Sequence, residues 1–398
     1  MNAPRTRPRR VVVTGATGFI GSAVLRELLG TGTGPRTGTG LRTGTGPRTG
    51  TGPRTDVGSP AGVELRAVSR KPPVTDPATD PATDPATDPA TDPASDDAPA
   101  PSPTPAPGPA PAPALQWFPA DLSDPASLRG VCDGADVLLH LASHIGRDAD
   151  ECERVNVRGT QALVDEAVRA GVGRVVLLST AAVYGAGPHT GIDVDEITPA
   201  PVSAASRTRL GAERPVLEAG GTVLRPGLVL GAGDRWVVPA LAELLDRVPA
   251  RWDGGRGLLS VVAVDDLARL FARLALAPHG IPAGVHHASH PTPVRNGDLM
   301  DTLIAHGVFA PVADPPDLSD LSDLSGLPDL SWEECLARLR DRPGRVSERQ
   351  FALLASDHWY RSDGIWAAAG CEPGPAPLVR VAEAADWYRN HLAARRAF

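Results

Sequence analysis

Apolar residues run along this chain in two alternating rhythms. Short stretches that are hydrophobic nearly throughout predict strands at Val11–Thr14, Val63–Ser69, Leu115–Phe118, Val137–Ala142, Arg174–Thr180 and Thr222–Leu230. Between them, apolar positions recur at helical spacing over Ser22–Leu29, Asp124–Cys132, Asp150–Ala170, Ala204–Ala219, Val238–Arg247 and Asp265–Leu276. A strand with no polar face has to be covered from both sides, and helical crossovers do the covering. The pattern therefore predicts an α/β fold built on a doubly wound parallel sheet. Farther on, Gly284–Ser289 reads as a strand, and Asn296–Ala305, Ser331–Arg340, Ser347–Leu354 and Leu378–Leu392 read as helices of a small C-terminal substrate-binding cap. Trp387, Tyr388 and His391 form a core-facing stripe on the last of these.

Two tracts interrupt the rhythm. Gly30–Gly58 repeats Thr-Gly-Pro-Arg, and residues 72–114 carry five Thr-Asp-Pro-Ala units followed by a Pro-Ala tail. Neither offers apolar surface to bury, and proline removes backbone donors, so both read as disordered insertions. Asp314–Leu330, with its Asp-Leu-Ser repeats, reads as a loop. The expected division is a dinucleotide-binding unit over 1–232, with insertions at 30–58 and 72–114. Residues 233–398 are mostly cap, except that 265–276 packs back on the first unit.

Composition narrows the function classes. The net charge of −8 over 398 residues, with no basic stripe, argues against nucleic acid as a partner. The four cysteines are scattered without a C-x-x-C pair, so neither a disulfide framework nor a metal site is expected. No apolar run reaches the ~20 residues of a membrane span, which makes the cytoplasm the default location and a membrane no partner. Lys71 is the single lysine, and the three tyrosines are Tyr184, Tyr360 and Tyr388. Both scarcities bear on the chemistry.

The first strand runs into Thr14-Gly15-Ala16-Thr17-Gly18-Phe19-Ile20-Gly21, a G-x-x-G-x-x-G turn that opens a helix. Without Cβ atoms in the way, backbone N–H groups at such a helix N-terminus can meet a dinucleotide pyrophosphate, as in a Rossmann sheet. Gly15, Thr17, Gly18, Phe19, Ile20 and Gly21 are the candidate contacts. The second strand ends Ser69-Arg70, where an acidic residue would hold the ribose hydroxyls of NAD. A hydroxyl beside a cation suits a 2′-phosphate, so NADP(H) is the expected cofactor. Asp121, followed by Leu122, can accept from the adenine amino group or cap the helix behind it. Leu141, Ala142 and Ser143 at the fourth strand end, Ser179 at the fifth and Pro226 at the sixth complete the rim.

TGATGFIG, ADLSD, VLLHLAS, NVRGT, LLSTAAVYG, VLRPGLVLGAGDRW and VVAVDDLARL follow one another in order. Together they resemble an extended short-chain dehydrogenase/reductase of the NAD-dependent epimerase/dehydratase group, which includes antibiotic-pathway ketoreductases. The resemblance implies that Thr180 hydrogen-bonds a substrate carbonyl and that Tyr184 packs beside the substrate pocket. It also implies a YxxxK pair that transfers the proton and binds the nicotinamide ribose. In Pro201-Val202-Ser203-Ala204-Ala205-Ser206-Arg207-Thr208-Arg209 the tyrosine position holds Ala205 and the lysine position Arg209. Arg209 can still bind a ribose hydroxyl, but it is a poor neutral proton relay. Pairing as a homodimer through Asp150–Ala170 and Ala204–Ala219 is a further implication.

Hydride chemistry without the phenol still needs a stabilised and then protonated alkoxide. Thr180, Tyr184 and His144 are the candidate catalytic residues: Thr180 as a hydrogen-bond donor, Tyr184 and His144 as proton donors, with water or a substrate hydroxyl as the other proton sources. The arginine that binds a sugar-nucleotide diphosphate in such proteins maps to Leu259, which favours an apolar or aromatic ketone, while Arg256 and Arg235 nearby leave phosphate binding open. Trp236, Trp252 and Trp359 are either pocket walls or ordinary packing. The expected function is NADPH-dependent reduction of a small-molecule ketone, of polyketide or deoxysugar type, in bacterial secondary metabolism. The alternatives are an NADP-binding sensor or scaffold without catalysis, and a nucleotide-sugar epimerase or dehydratase that retains NAD.

Overall fold

The computed structural model describes residues 8–30, 63–71, 114–309 and 326–396. Residues 31–58 and 72–113 of the repeat tracts expected to be disordered, and Asp314–Ser325 of the third, lie outside the described residues.

Parallel strands β1 (Arg9–Thr14), β2 (Val63–Ser69), β3 (Ala114–Pro119), β4 (Val137–His140), β5 (Arg174–Leu178), β6 (Thr222–Arg225) and β7 (Gly284–His287) form a seven-stranded sheet in the order β7-β6-β5-β4-β1-β2-β3. Its main helices are α1 (Phe19–Leu28), α2 (Gly159–Arg169), α3 (Ala204–Glu218) and α5 (Val264–Leu276), while α4 (Val237–Arg247) belongs to a second core. Alternate strand residues enter opposite cores. Val11, Val13, Leu139, Val176 and Leu178 meet Val24, Leu28, Leu267 and Phe271 of α1 and α5. Val12, Leu138, Val175, Leu177 and Val223 meet Leu163, Val164 and Val216 of α2 and α3. Each such side chain contributes roughly 1.5–3 kcal/mol by leaving water, which is why a two-faced sheet needs strands with no polar side. Strand order reverses between β1 and β4, so a crevice opens at their C-terminal ends.

Several local expectations are corrected. The stretch Thr222–Leu230 is two strands: Pro226 supplies no N–H, and a Cβ on Gly227 would stand 2.3 Å from the Ser260 carbonyl oxygen. After that break, Leu228–Leu230 pairs with Val261–Ala263. Asp124–Cys132 forms only a 3-10 turn, Pro125–Leu128, capped by the Asp124 carboxylate. The helix expected over Asp150–Ala170 passes through a π-helical segment, Glu153–Arg158, before α2. Leu378–Leu392 divides into Pro377–Glu383 and Ala385–Arg396.

Gly284–His287, expected in the cap, instead extends the main sheet by pairing with β6. Conversely, His189–Ile192 from the first half pairs with His358–Tyr360. The C-terminal elements enclose their own core, in which Leu241, Leu244, Leu299 and Leu303 surround Trp252 and Phe351.

Candidate active site

A cleft of about 690 Å³ follows the switch point. Its phosphate end is made by the glycine turn. Gly15 sits at φ +69, and a Cβ there would lie 2.7 Å from the Ala142 nitrogen; a Cβ on Gly21 would lie 2.0 Å from the Gly15 oxygen. The turn therefore brings β1, α1 and the end of β4 closer than any side chain permits. Gly18 is the N-cap of α1 and no side chain caps it, so the first-turn N–H groups are left facing the cleft that Gly18, Phe19, Ile20 and Gly21 line.

The other end of this half carries Ser69 and Arg70, with Thr17 Oγ1 3.4 Å from Ser69 Oγ. Asp121 and Leu122 face the same space. Asp121 does not cap the following turn, since Asp124 does; its carboxylate accepts from Ser123 N–H and Oγ at 2.9 and 2.8 Å. Burial raises the Asp121 pKa, but those bonds and the Arg70 charge outweigh it and hold the carboxyl below its usual range. Close-approach glycines, open backbone donors, hydroxyls and one cation together fit a nicotinamide dinucleotide, whose chemistry when bound is hydride transfer.

The opposite end is built from strand ends. Leu141, Ala142, Ser143 and His144 leave β4 along the wall, and Thr180 follows β5. Thr180 Oγ1 accepts the Ala182 N–H at 3.1 Å, which leaves its own hydroxyl hydrogen free to donate. Arg209 of α3 reaches the wall, and its Nη2 donates to the carbonyls of Leu178 at 3.1 Å and Ser179 at 2.6 Å. Burial pushes its pKa down to about 10, so the guanidinium stays charged at neutral pH.

Three expected site residues turn away from this wall. Ser179 is buried and its hydroxyl donates to Glu213. Pro226 is buried, with its carbonyl accepting from Ala181. Tyr184 is carried inward by the 3-10 turn Ala181–Tyr184 and is 2% exposed. Its hydroxyl accepts from Arg225 Nη1 at 2.9 Å and stands 2.7 Å from His287 Nε2. His287 Nδ1 lies 3.1 Å from the Arg361 carbonyl and must donate there, so its Nε2 accepts the Tyr184 proton. Burial raises the Tyr184 pKa as well. It is a core residue, and its proton does not reach the cleft.

Residues that the sequence reading missed include Ile145, Val155, Val229, Asp234 and Val237, all on the lining. They come from the loop beyond β4, from the π-helical segment Glu153–Arg158 or from the stretch after β6, and no spacing rule marks them. Trp236 is 64% exposed and faces the cleft, whereas Trp252 is fully buried and Trp359 lies against Gly191. Among the described residues no group of three or more potential ligands could hold a metal ion, and no helix is long and apolar enough to cross a membrane. The four cysteines are buried and unpaired.

The model of the NAD dependent epimerase/dehydratase family matches residues 86–286. The chain belongs to that family. It is 30% identical over 282 residues to a 2-alkyl-3-oxoalkanoate reductase of Stenotrophomonas maltophilia (strain K279a), covering 66% of this chain and 82% of that protein. It is 32% identical over 195 residues to a 4-hydroxy-2-methyl-3-oxo-4-farnesyl-3,4-dihydroquinoline-1-oxide ketoreductase of Stigmatella aurantiaca, covering 46% and 58% respectively. The fold is shared with the dTDP-glucose 4,6-dehydratase DesIV of Streptomyces venezuelae with NAD and TYD bound. That match has a TM-score of 0.59 at 20% identity, over 97% of this chain and 98% of the other.

Proposed function

We propose that this family oxidoreductase reduces the ketone of an apolar or aromatic substrate with NADPH, in a pathway of secondary metabolism. The observation that carries the reading is Thr180. Its hydroxyl stands on the cleft wall with its acceptor side already engaged by Ala182, so it is oriented to donate to a carbonyl oxygen. Ser69 and Arg70 at the end of β2, with no acidic residue beside them, support the 2′-phosphate form of the cofactor.

The substrate class follows from the remaining wall. Ile145, Val229, Trp236 and Val237 make it largely apolar. Leu259, at the position of the diphosphate-binding arginine, is fully buried in the C-terminal core, and Arg256 is paired with Asp253 at 2.9 Å. One relative is named a 2-alkyl-3-oxoalkanoate reductase and another a ketoreductase of a farnesyl-bearing dihydroquinoline oxide, and the alkyl and farnesyl groups in those names agree with this choice.

NADPH oxidation against a panel of aromatic, alkyl and sugar ketones tests the reading, with turnover expected for the first two. In Thr180→Val, kcat should fall about 100-fold, the usual cost of one lost oxyanion donor, with NADPH affinity nearly unchanged. Collapse of NADPH affinity with full turnover per bound cofactor would show that Thr180 has a different role.

A further inference from the structure

With Ala205 in the tyrosine position and Tyr184 buried, a proton that the protein itself gives to the reduced carbonyl must come from another wall of the cleft. The described lining residues that carry ionisable groups are Arg70, Asp121, His144, Arg209 and Asp234. Both arginines hold their protons at neutral pH. The Asp121 carboxylate is kept ionised by Ser123. Burial raises the Asp234 pKa, but its carboxylate accepts the N–H groups of Trp236, Val237 and Val238 at 2.8, 2.9 and 3.0 Å and the Tyr388 hydroxyl at 3.3 Å, so its oxygens are engaged as acceptors at the start of α4. That leaves His144, and an imidazole is the side chain that exchanges protons in the neutral range.

The segment around His144 is held unusually firmly for a loop. Asn156, 2% exposed within the π-helical segment, grips its backbone from both sides: Oδ1 accepts the His144 N–H at 2.7 Å and Nδ2 donates to the His144 carbonyl at 2.9 Å. The second Nδ2 hydrogen goes to Thr208 Oγ1 at 3.0 Å. One amide thus ties the loop to α3, the helix that bears Ala205 and Arg209. The extra residue of a π turn is a feature often found beside functional positions. The ring also depends on Gly146, where an added Cβ would stand 2.4 Å from His144 Nε2.

We propose that His144 is the general acid of the reduction and that Asn156 is its positioning residue. The proposal rests on the ketoreductase reading above. As the carbonyl carbon accepts hydride from the reduced nicotinamide and its π pair moves to oxygen, Thr180 donates a hydrogen bond to that oxygen. The imidazolium of His144 then gives it a proton, leaving an alcohol and a neutral imidazole that regains a proton from solvent. The charged groups sharing its walls are Arg209 from α3, Asp234 before α4, and Asp121 with Arg70 at the far end. Arg147 follows in the loop, and Cys152 lies beneath, its Sγ 3.6 Å from the Gly146 oxygen.

The test uses the full chain with NADPH and the best ketone of the panel. In His144→Gln, kcat should fall about 100-fold, as for loss of a general acid, and the decline of kcat with rising pH should vanish while NADPH affinity persists. Added imidazole should restore turnover in His144→Gly. Gly146→Ala, which keeps the histidine but displaces its ring, should lower kcat in the same sense. In the protein without cofactor or substrate, the His144 imidazole nitrogen NMR signals should move in Asn156→Ala, a change that a purely distant structural role would not cause. Unchanged kcat and pH profile in His144→Gln, or an unmoved signal in Asn156→Ala, would overturn this assignment alone. Absence of any ketone reduction by the unaltered protein would overturn the reductase reading and this assignment together.

Discussion

The two ends of the cleft are held by different kinds of group. At the phosphate end the determinants are backbone: Gly15 in a left-handed turn, Gly21 pressed on Gly15, and the uncapped N-terminus of α1. At the chemical end they are side chains from separate elements, with Thr180 after β5, His144 after β4, Arg209 on α3 and Trp236 before α4. A backbone cradle has one solution, because only glycine fits it. A proton donor has several, because any wall that faces the reacting oxygen can carry one. The resemblance implies a glycine turn that is present here and a tyrosine whose position holds Ala205, and the physics of the two ends accounts for that asymmetry.

The strongest way to break the contrast is at Gly15. A methyl group there would meet the Ala142 backbone at 2.7–2.9 Å, at a φ of +69 that L residues rarely adopt. Gly15→Ala should lose NADPH affinity about 100-fold, from about 3 kcal/mol of strain and displaced donors, while far-UV circular dichroism shows the sheet retained. A fluorescence titration showing only a small loss of affinity would mean that the cradle is looser than its geometry says.

The same contrast explains what the sequence made legible. The apolar run bounds β2 to the residue, and Gly15, Thr17, Gly18, Phe19, Ile20, Gly21, Ser69, Arg70, Asp121 and Leu122, at strand ends and in the glycine turn, all line the cleft. Local chemistry decides these positions. Tyr184, Ser179 and Pro226 could not be read so, because a single turn after Thr180 and the buried partners Arg225, Glu213 and His287 decide which way each faces. Those partners are distant in sequence. The placement of Gly284–His287 failed for a related reason: a short strand carries no mark of which sheet it will join, and its partner β6 was concealed in a longer apolar run.

A change at Arg70 sharpens the comparison within the phosphate end itself, where the proposed reading has one side chain add selectivity to a backbone site. Arg70→Ala should weaken NADPH binding about 30-fold, the equivalent of about 2 kcal/mol for a lost charge-assisted contact, and leave NADH nearly untouched. Equal losses for both nucleotides would place Arg70 on the shared pyrophosphate rather than on a 2′-phosphate, and the cofactor preference would then need another source.

The smallest expected effect concerns two histidines that leave β4 together. His144 lies on the cleft wall, but His140 lies behind it, fully buried between Thr14 Oγ1 at 2.7 Å and Thr160 Oγ1 at 2.9 Å. Burial, with the nearby Arg209 charge, lowers the His140 pKa to about 4, and burial lowers that of His287 to about 4 as well. In the unfolded chain both imidazoles take up protons near the ordinary value of about 6.5, so below that pH the unfolded state binds more protons than the folded one. Their contribution to stability is therefore whole above about pH 6.5 and declines as pH falls toward 4, by up to about 1.4 kcal/mol per pH unit for each group. At pH 5.5 the loss should be about 1 kcal/mol per histidine, seen as a lower urea midpoint. His140→Gln should be less stable at every pH yet lose less over this interval than the unaltered protein, by the His140 share. If its slope matched that of the unaltered protein, His140 would already be charged in the fold, and the base of the chemical end would be wetter than the threonine cage implies.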